Sequence, residues 1–194
     1  MRAAIFIDGA YLNKILENHY ARATLEYDKL AKELAGGEDI LRTYYYDAPP
    51  YQSNPPTADE SKRFAARQSF FASLRKLSRF EVREGRCQRI WDQRRQGWKF
   101  TQKRVDVLFS VDLVRLAAKG QIGRAILVAG DSDFLPAVAV AKDDGVGITL
   151  YHSPNMKEVH RDLWDAVDDR FPVSQAVIDA VRRPLQILAG GGKT

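Results

Sequence analysis

The chain of 194 residues is 45% hydrophobic and 28% charged with a net charge of +5, the composition of one globular domain with a core of ordinary size. No apolar run approaches the roughly 20 residues of a membrane span, and Met1 to Asp8 reaches an acid too soon to be a signal peptide. The single cysteine, Cys87, excludes an internal disulfide and any cysteine-rich metal site, so a cytoplasmic protein is the expectation.

In chain order, Ala3 to Ile7 is a short apolar run closed by Asp8-Gly9, the pattern of a buried parallel strand. Tyr11, Leu12, Ile15 and Leu16 follow at helical spacing, and Asp8 alone could serve as a helix cap. Tyr27 to Ala35 predicts a second helix, ended by Gly36-Gly37. Ile40 to Asp47 is rich in strand formers and again ends in an acid, which makes Asp47 a weaker site candidate. Pro49, Pro50, Pro55 and Pro56 make Ala48 to Asp59 an exposed loop.

Glu60 to Ser78 predicts a long helix with an apolar stripe of Phe64, Phe71, Leu74 and Leu77. Phe80 to Glu84 and Arg86 to Trp91 read as strands joined at Gly85, either a hairpin or a strand with an extension. Asp92 to Gln102 reads as a loop or a second hairpin. Lys103 to Ala117 predicts a largely buried helix through Leu108, Val111 and Leu116, with Asp106 in the first turn, where the helix dipole favours an anion.

Ala125 to Val128 is another apolar strand, running through Ala129-Gly130 into Asp131-Ser132-Asp133. Leu135, Val138 and Ala139 place a helix from Ser132 to Lys142. Gly145 to Tyr151 then completes a βαβ unit. Met156 to Trp164 predicts a short helix, and Ser174 to Arg182 a final one capped by Ser174. His152 and His160 have no evident catalytic partner and read as surface or structural. Residues 190–194 are expected to fray.

The chemistry concentrates in the acids at strand ends. A cap explains one of Asp131 and Asp133 and leaves the other without a task, and two carboxylates this close repel unless a cation or proton offsets them. Hard oxygen donors suit Mg²⁺ or Mn²⁺. Asp8 ends another strand, and two such strands side by side would aim both acids into one crevice at the sheet's carboxyl edge. Asp106 could face the same crevice. Asp112, about 120° further round the helix, shares its direction poorly and ranks lower.

Charge is unevenly spread. Lys62 to Arg104 holds fourteen Lys or Arg against three acids, a local +11, while the rest of the chain carries −6. Interleaved with it are Phe64, Phe70, Phe71, Phe80, Trp91, Trp98 and Phe100, some of them core, others able to stack on bases. A polyanion such as nucleic acid is the implied partner.

Phe6-Ile7-Asp8-Gly9, then Lys103-Arg104-Val105-Asp106-Val107, then Gly130-Asp131-Ser132-Asp133-Phe134, in this order, resemble the NYN domains of the PIN-like nuclease superfamily, in particular the LabA-like branch. The likeness implies a three-layer α/β/α sandwich with a mainly parallel sheet over 1–170, residues 171–189 contributing a helix packed on it. It implies metal-dependent hydrolysis of RNA, with Asp8, Asp106, Asp131 and Asp133 holding Mg²⁺ or Mn²⁺. Lys103 and Arg104 would neutralise the scissile phosphate, and Arg94, Arg95 and Lys99 the flanking backbone of single-stranded RNA. Ser132, Asn13 and Asp112 are secondary candidates; Asn13 stands two residues later than the family's Asp-Gly-x-Asn pattern. A non-catalytic RNA-binding or regulatory module remains the alternative. The crevice could be shared across a homodimer.

Overall fold

The computed structural model describes residues 2–184. Its framework is a six-stranded sheet of β1 (Ala3–Asp8), β2 (Ile40–Asp47), β3 (Phe80–Glu84), β6 (Arg124–Val128), β7 (Gly147–His152) and β8 (Asp169–Pro172). The order is β3-β2-β1-β6-β7-β8, and every neighbouring pair is parallel. A parallel sheet must be covered on both faces, which is why its strands are near-continuous apolar runs. Side chains alternate across β1: Ile5 and Ile7 enter one core, Ala4 and Phe6 the other.

The first core lies under α1 (Gly9–His19), α2 (Tyr27–Ala35), α3 (Ala58–Arg75) and α7 (Gln175–Val181), with Leu12, Leu30, Phe71 and Ile178 among its members. The second lies under α4 (Val105–Ala118), α5 (Leu135–Asp143) and α6 (Arg161–Ala166), through Phe109, Val138 and Leu163. This is the three-layer α/β/α sandwich expected from the sequence. Local chemistry sets several ends: Thr57 and Glu60 form a reciprocal capping box on α3, and Gly36 ends α2 in a left-handed conformation. No helix among the described residues is long and apolar enough to cross a membrane.

Several expectations are corrected. β3 is an edge strand of the main sheet, whereas β4 (Arg86–Asp92) and β5 (Gly97–Lys103) form a separate antiparallel hairpin, so the partner of β4 is β5. The turn after Asp131 is one turn of 3₁₀ helix, Ser132–Phe134, and the α-helix begins only at Leu135, ahead of Pro136. Met156–Glu158 is likewise a 3₁₀ turn, with α6 starting at Arg161. β8 has no counterpart in the sequence reading. The helix α4 is not buried all round, since Val107 and Val111 are 65% and 56% exposed. The terminal segment 190–194 lies outside the described residues.

Candidate functional site

Strand register decides which acids meet. Ile7 of β1 stands opposite Val128 of β6, so Asp8 neighbours Ala129, and Asp131 follows two residues on. Here the strand order reverses, the place where an open parallel sheet leaves a crevice beyond its carboxyl ends. Two glycines let aromatic rings press against the acids' backbone. A Cβ on Gly9 would strike the buried Tyr45 ring at 2.6 Å, and one on Gly130 would meet the Tyr11 ring and, at 2.8 Å, the Glu158 carbonyl oxygen.

Both acids act as caps and still have an oxygen to spare. Asp8 Oδ1 accepts from the Tyr11 N–H at 3.0 Å, and Asp131 Oδ1 from the Asp133 N–H at 3.1 Å, leaving each Oδ2 for another partner. Beneath the Asp131 turn, fully buried Phe134 stacks on Phe109 at 4.1 Å between ring centres. Burying such a ring contributes about 2–3 kcal/mol, and it anchors the loop that carries Asp131 and Asp133.

The acids feel one another. Burial, assisted by the charges of Asp106 and Asp47 and opposed by the Tyr11 N–H, pushes the Asp8 carboxyl up to about 6. Asp106 is raised by burial and then by Asp131 and Asp133, with Lys103 opposing. Asp8 and Asp131 line one cleft of about 490 Å³, together with Lys14, Lys157, Glu158 and His160. Asp106 and Asp133 line a groove of about 810 Å³ between α4 and α5. None of the four is ion-paired among the described residues, in contrast to Asp47 and Asp112. Among the same residues no three His, Cys, Asp or Glu side chains converge into a ready metal cage. Unpaired, mutually repelling hard-oxygen donors fit Mg²⁺ or Mn²⁺, and Mg²⁺ in particular keeps several waters and needs few carboxylates.

Other sequence candidates fall elsewhere. Asp112 is 6% exposed and fully engaged: Arg115 donates to Oδ1 at 2.9 Å, and Arg83 (2.9 Å) and the Tyr46 hydroxyl (3.2 Å) donate to Oδ2. Asp47 accepts from the Ala48 N–H and from Gln102, and pairs with Arg67 at 3.1 Å without the alignment of a hydrogen bond. Asn13 lines a groove with Asp47 rather than the Asp8–Asp131 cleft. Ser132 lies half-buried in the 3₁₀ turn. Lys103 closes β5, and Arg104, at φ 75°, turns the chain into α4 through a left-handed conformation. Arg94 and Arg95 sit at the hairpin turn, with Lys99 on β5.

His152 is buried, pairs with the Ser153 carbonyl and meets the Trp164 ring edge-on at 4.6 Å, a structural histidine as expected. Glu158 and His160 border the cleft; Glu158 was missed, while His160 is exposed and its ring caps α6, in keeping with the surface or structural role expected of it. Both reach the cleft because the His160 N–H donates to the Gly130 carbonyl at 2.9 Å, a long-range bond with no local signal. Glu158 accepts from Ser153 (2.6 Å) and Asn18 (2.8 Å) and contacts His19 (3.1 Å), and its carboxyl is held at about 2, chiefly by Ser153. It braces the cleft wall.

The three-layer sandwich, with acids beyond the strand ends at its switch point, has the architecture of a PIN-like fold. The family profile described as NYN domain matches residues 2–174, and the chain belongs to that family. No curated protein matches the chain. A solved structure, a protein of unknown function from Vibrio parahaemolyticus, superposes with a TM-score of 0.60 at 21% identity, covering 90% of this chain and 93% of that one, a likeness of fold alone.

Proposed function

We propose that the chain is a divalent-metal-dependent ribonuclease of the LabA-like branch, hydrolysing phosphodiester bonds of single-stranded RNA. The observation that carries this reading is the set of coupled, unpaired carboxylates contributed by β1, α4 and the β6 end at the sheet's switch point. Asp8 and Asp131 would hold the ion, with Asp106 and Asp133 completing the acidic rim. When bound, Mg²⁺ or Mn²⁺ supplies Lewis acidity toward the phosphoryl oxygen and lowers the pKa of a bound water. The chain's own cations do the rest: Lys103 and Arg104, beside Asp106, offset charge on the scissile phosphate, and the basic segment holds the flanking backbone without reading sequence. No serine or cysteine nucleophile is needed, and Cys87 packs half-buried against the second core.

The test is a divalent-ion titration with an end-labelled single-stranded RNA. Cleavage should require Mg²⁺ or Mn²⁺ and fall at least about 100-fold in Asp131→Asn, several kcal/mol of transition-state stabilisation being at stake. Equal binding with no cleavage under either ion would overturn it in favour of a non-catalytic RNA-binding module. That no three His, Cys, Asp or Glu side chains among the described residues group into a ready cage is the observation on that second reading's side.

A further inference from the structure

The β4–β5 hairpin has two unlike faces. Trp91 pairs with Trp98, Arg89 with Phe100 and Cys87 with Gln102, alternating with Ile90–Lys99, Gln88–Thr101 and Arg86–Lys103. Side chains alternate across a pleated ribbon, so the first set shares one face and the second the other. On the first face the Trp91 and Trp98 rings meet edge-on at 5.2 Å. The Arg89 guanidinium lies over Trp98 at 4.3 Å and over Tyr51 at 5.1 Å, and Tyr51 packs on Phe100 at 5.6 Å. These contacts hold the rings in place, yet Trp98 and Phe100 remain 55% and 57% exposed.

The same face runs back toward the acids. Gln102 donates to Asp47 at 3.0 Å, and Gln102 and Cys87 border a groove of about 650 Å³ that Ala10 and Asn13 of α1 also line, next along the chain from Asp8. The base of the ring-bearing face therefore borders a groove that shares Ala10 with the Asp8–Asp131 cleft.

The surrounding charge selects the occupant. The hairpin lies within the segment carrying +11, and its other face presents Lys99, Lys103 and Arg86. Rings interleaved with cations suit a polyanion whose π-faces are free, which is single-stranded nucleic acid. A duplex keeps its bases stacked internally and cannot use the rings in this way. An apolar protein partner would leave the cations unanswered.

We infer that the aromatic face of the β4–β5 hairpin is a base-stacking platform, on which Trp98 and Phe100 seat unpaired bases of a single RNA strand whose backbone continues toward Asp8. The choice of RNA rests on the function proposed above; the platform itself requires no turnover. Because its rings are already positioned by Arg89 and Tyr51, little side-chain freedom is lost on binding.

The experiment uses the full chain carrying Asp131→Asn, in EDTA, with a fluorescein-labelled adenine- and uridine-containing 12-mer RNA. Tryptophan emission should be quenched on binding, and the additional pair Trp98→Ala and Phe100→Ala should weaken affinity at least about tenfold, stacking on each ring being worth up to two orders of magnitude. A 12-mer of the same backbone without bases should bind the parent as weakly as RNA binds the ring-deleted variant. Unchanged affinity in that variant, or full affinity for the base-free strand, would overturn the inference. So would loss of a dimer in the ring-deleted variant with RNA affinity intact, which would make the face a contact between copies. The two readings fail separately. Ring deletion without effect on affinity, alongside Mn²⁺-dependent cleavage by the otherwise unaltered chain, removes only the platform. Stacking without cleavage under either ion removes only the nuclease.

Discussion

The crevice and the hairpin are opposite kinds of surface. The crevice is built from strand ends of the central sheet, where Asp8 and Asp131 are positioned by neighbours that are among the most buried in the molecule. It is acidic, and its groups are held against their own repulsion. The hairpin pairs only with itself, is basic, and exposes its large side chains. Chemistry that needs fixed geometry sits on the rigid sheet, at a cost in stability. On the proposed reading, grip that needs area and charge sits on the hairpin, whose strands lie outside the main sheet.

Shortening the hairpin breaks the comparison most directly. Replacing residues 88–101 by Asn-Gly joins the facing pair Cys87 and Gln102 through a two-residue turn. Affinity for single-stranded RNA should drop by about two orders of magnitude, while calorimetry should find the melting temperature within a few degrees of the parent. A collapse in melting temperature would mean that the hairpin is structural after all.

Asp8→Asn sharpens the other side. The carboxyl titrates near 6 in the folded chain against 3.8 for a free group. Between those values the folded state binds more protons than the unfolded one, so stability falls as pH rises through the window and stays lower at neutral pH. Asn keeps the helix cap and carries no charge. In EDTA, denaturant titration should therefore show Asp8→Asn more stable at pH 7 by about 2 kcal/mol, a gain that vanishes near pH 4, while with Mg²⁺ or Mn²⁺ supplied the variant should lose cleavage. A destabilised variant at pH 7 would contradict the strained-carboxylate account.

The smallest effect expected is electrostatic. Changing Arg94, Arg95 and Lys99 together to Ala should reduce the slope of log affinity against log salt by about 2, roughly 0.7 for each phosphate contact on a single strand. The quenching of tryptophan emission by bound RNA should persist. An unchanged slope would place the phosphate contacts elsewhere in the basic segment.

Much of this architecture was legible in advance, for local reasons. Apolar runs closed by Asp-Gly or Gly-Asp marked β1 and β6 and the acids at their ends, since burial on both faces and a change of direction at the edge leave a compositional trace. Composition also flagged the basic, aromatic segment without showing which rings stay outside. Phe71 and Phe80 turned inward, while Trp98 and Phe100 did not, because β5 found its partner in β4 instead of joining the main sheet.

What the chain decided by itself was the type and place of most elements and that Asp8 and Asp131 stand at strand ends, because periodicity and capping act over a few residues. Which elements become neighbours was settled only on folding. That β1 lies against β6, that Asp112 is consumed by Arg83, Arg115 and Tyr46, and that His160 is drawn to Gly130 all depend on contacts between segments far apart in sequence. Their energy comes from pairing and burial across the whole sheet, which no short stretch of sequence encodes.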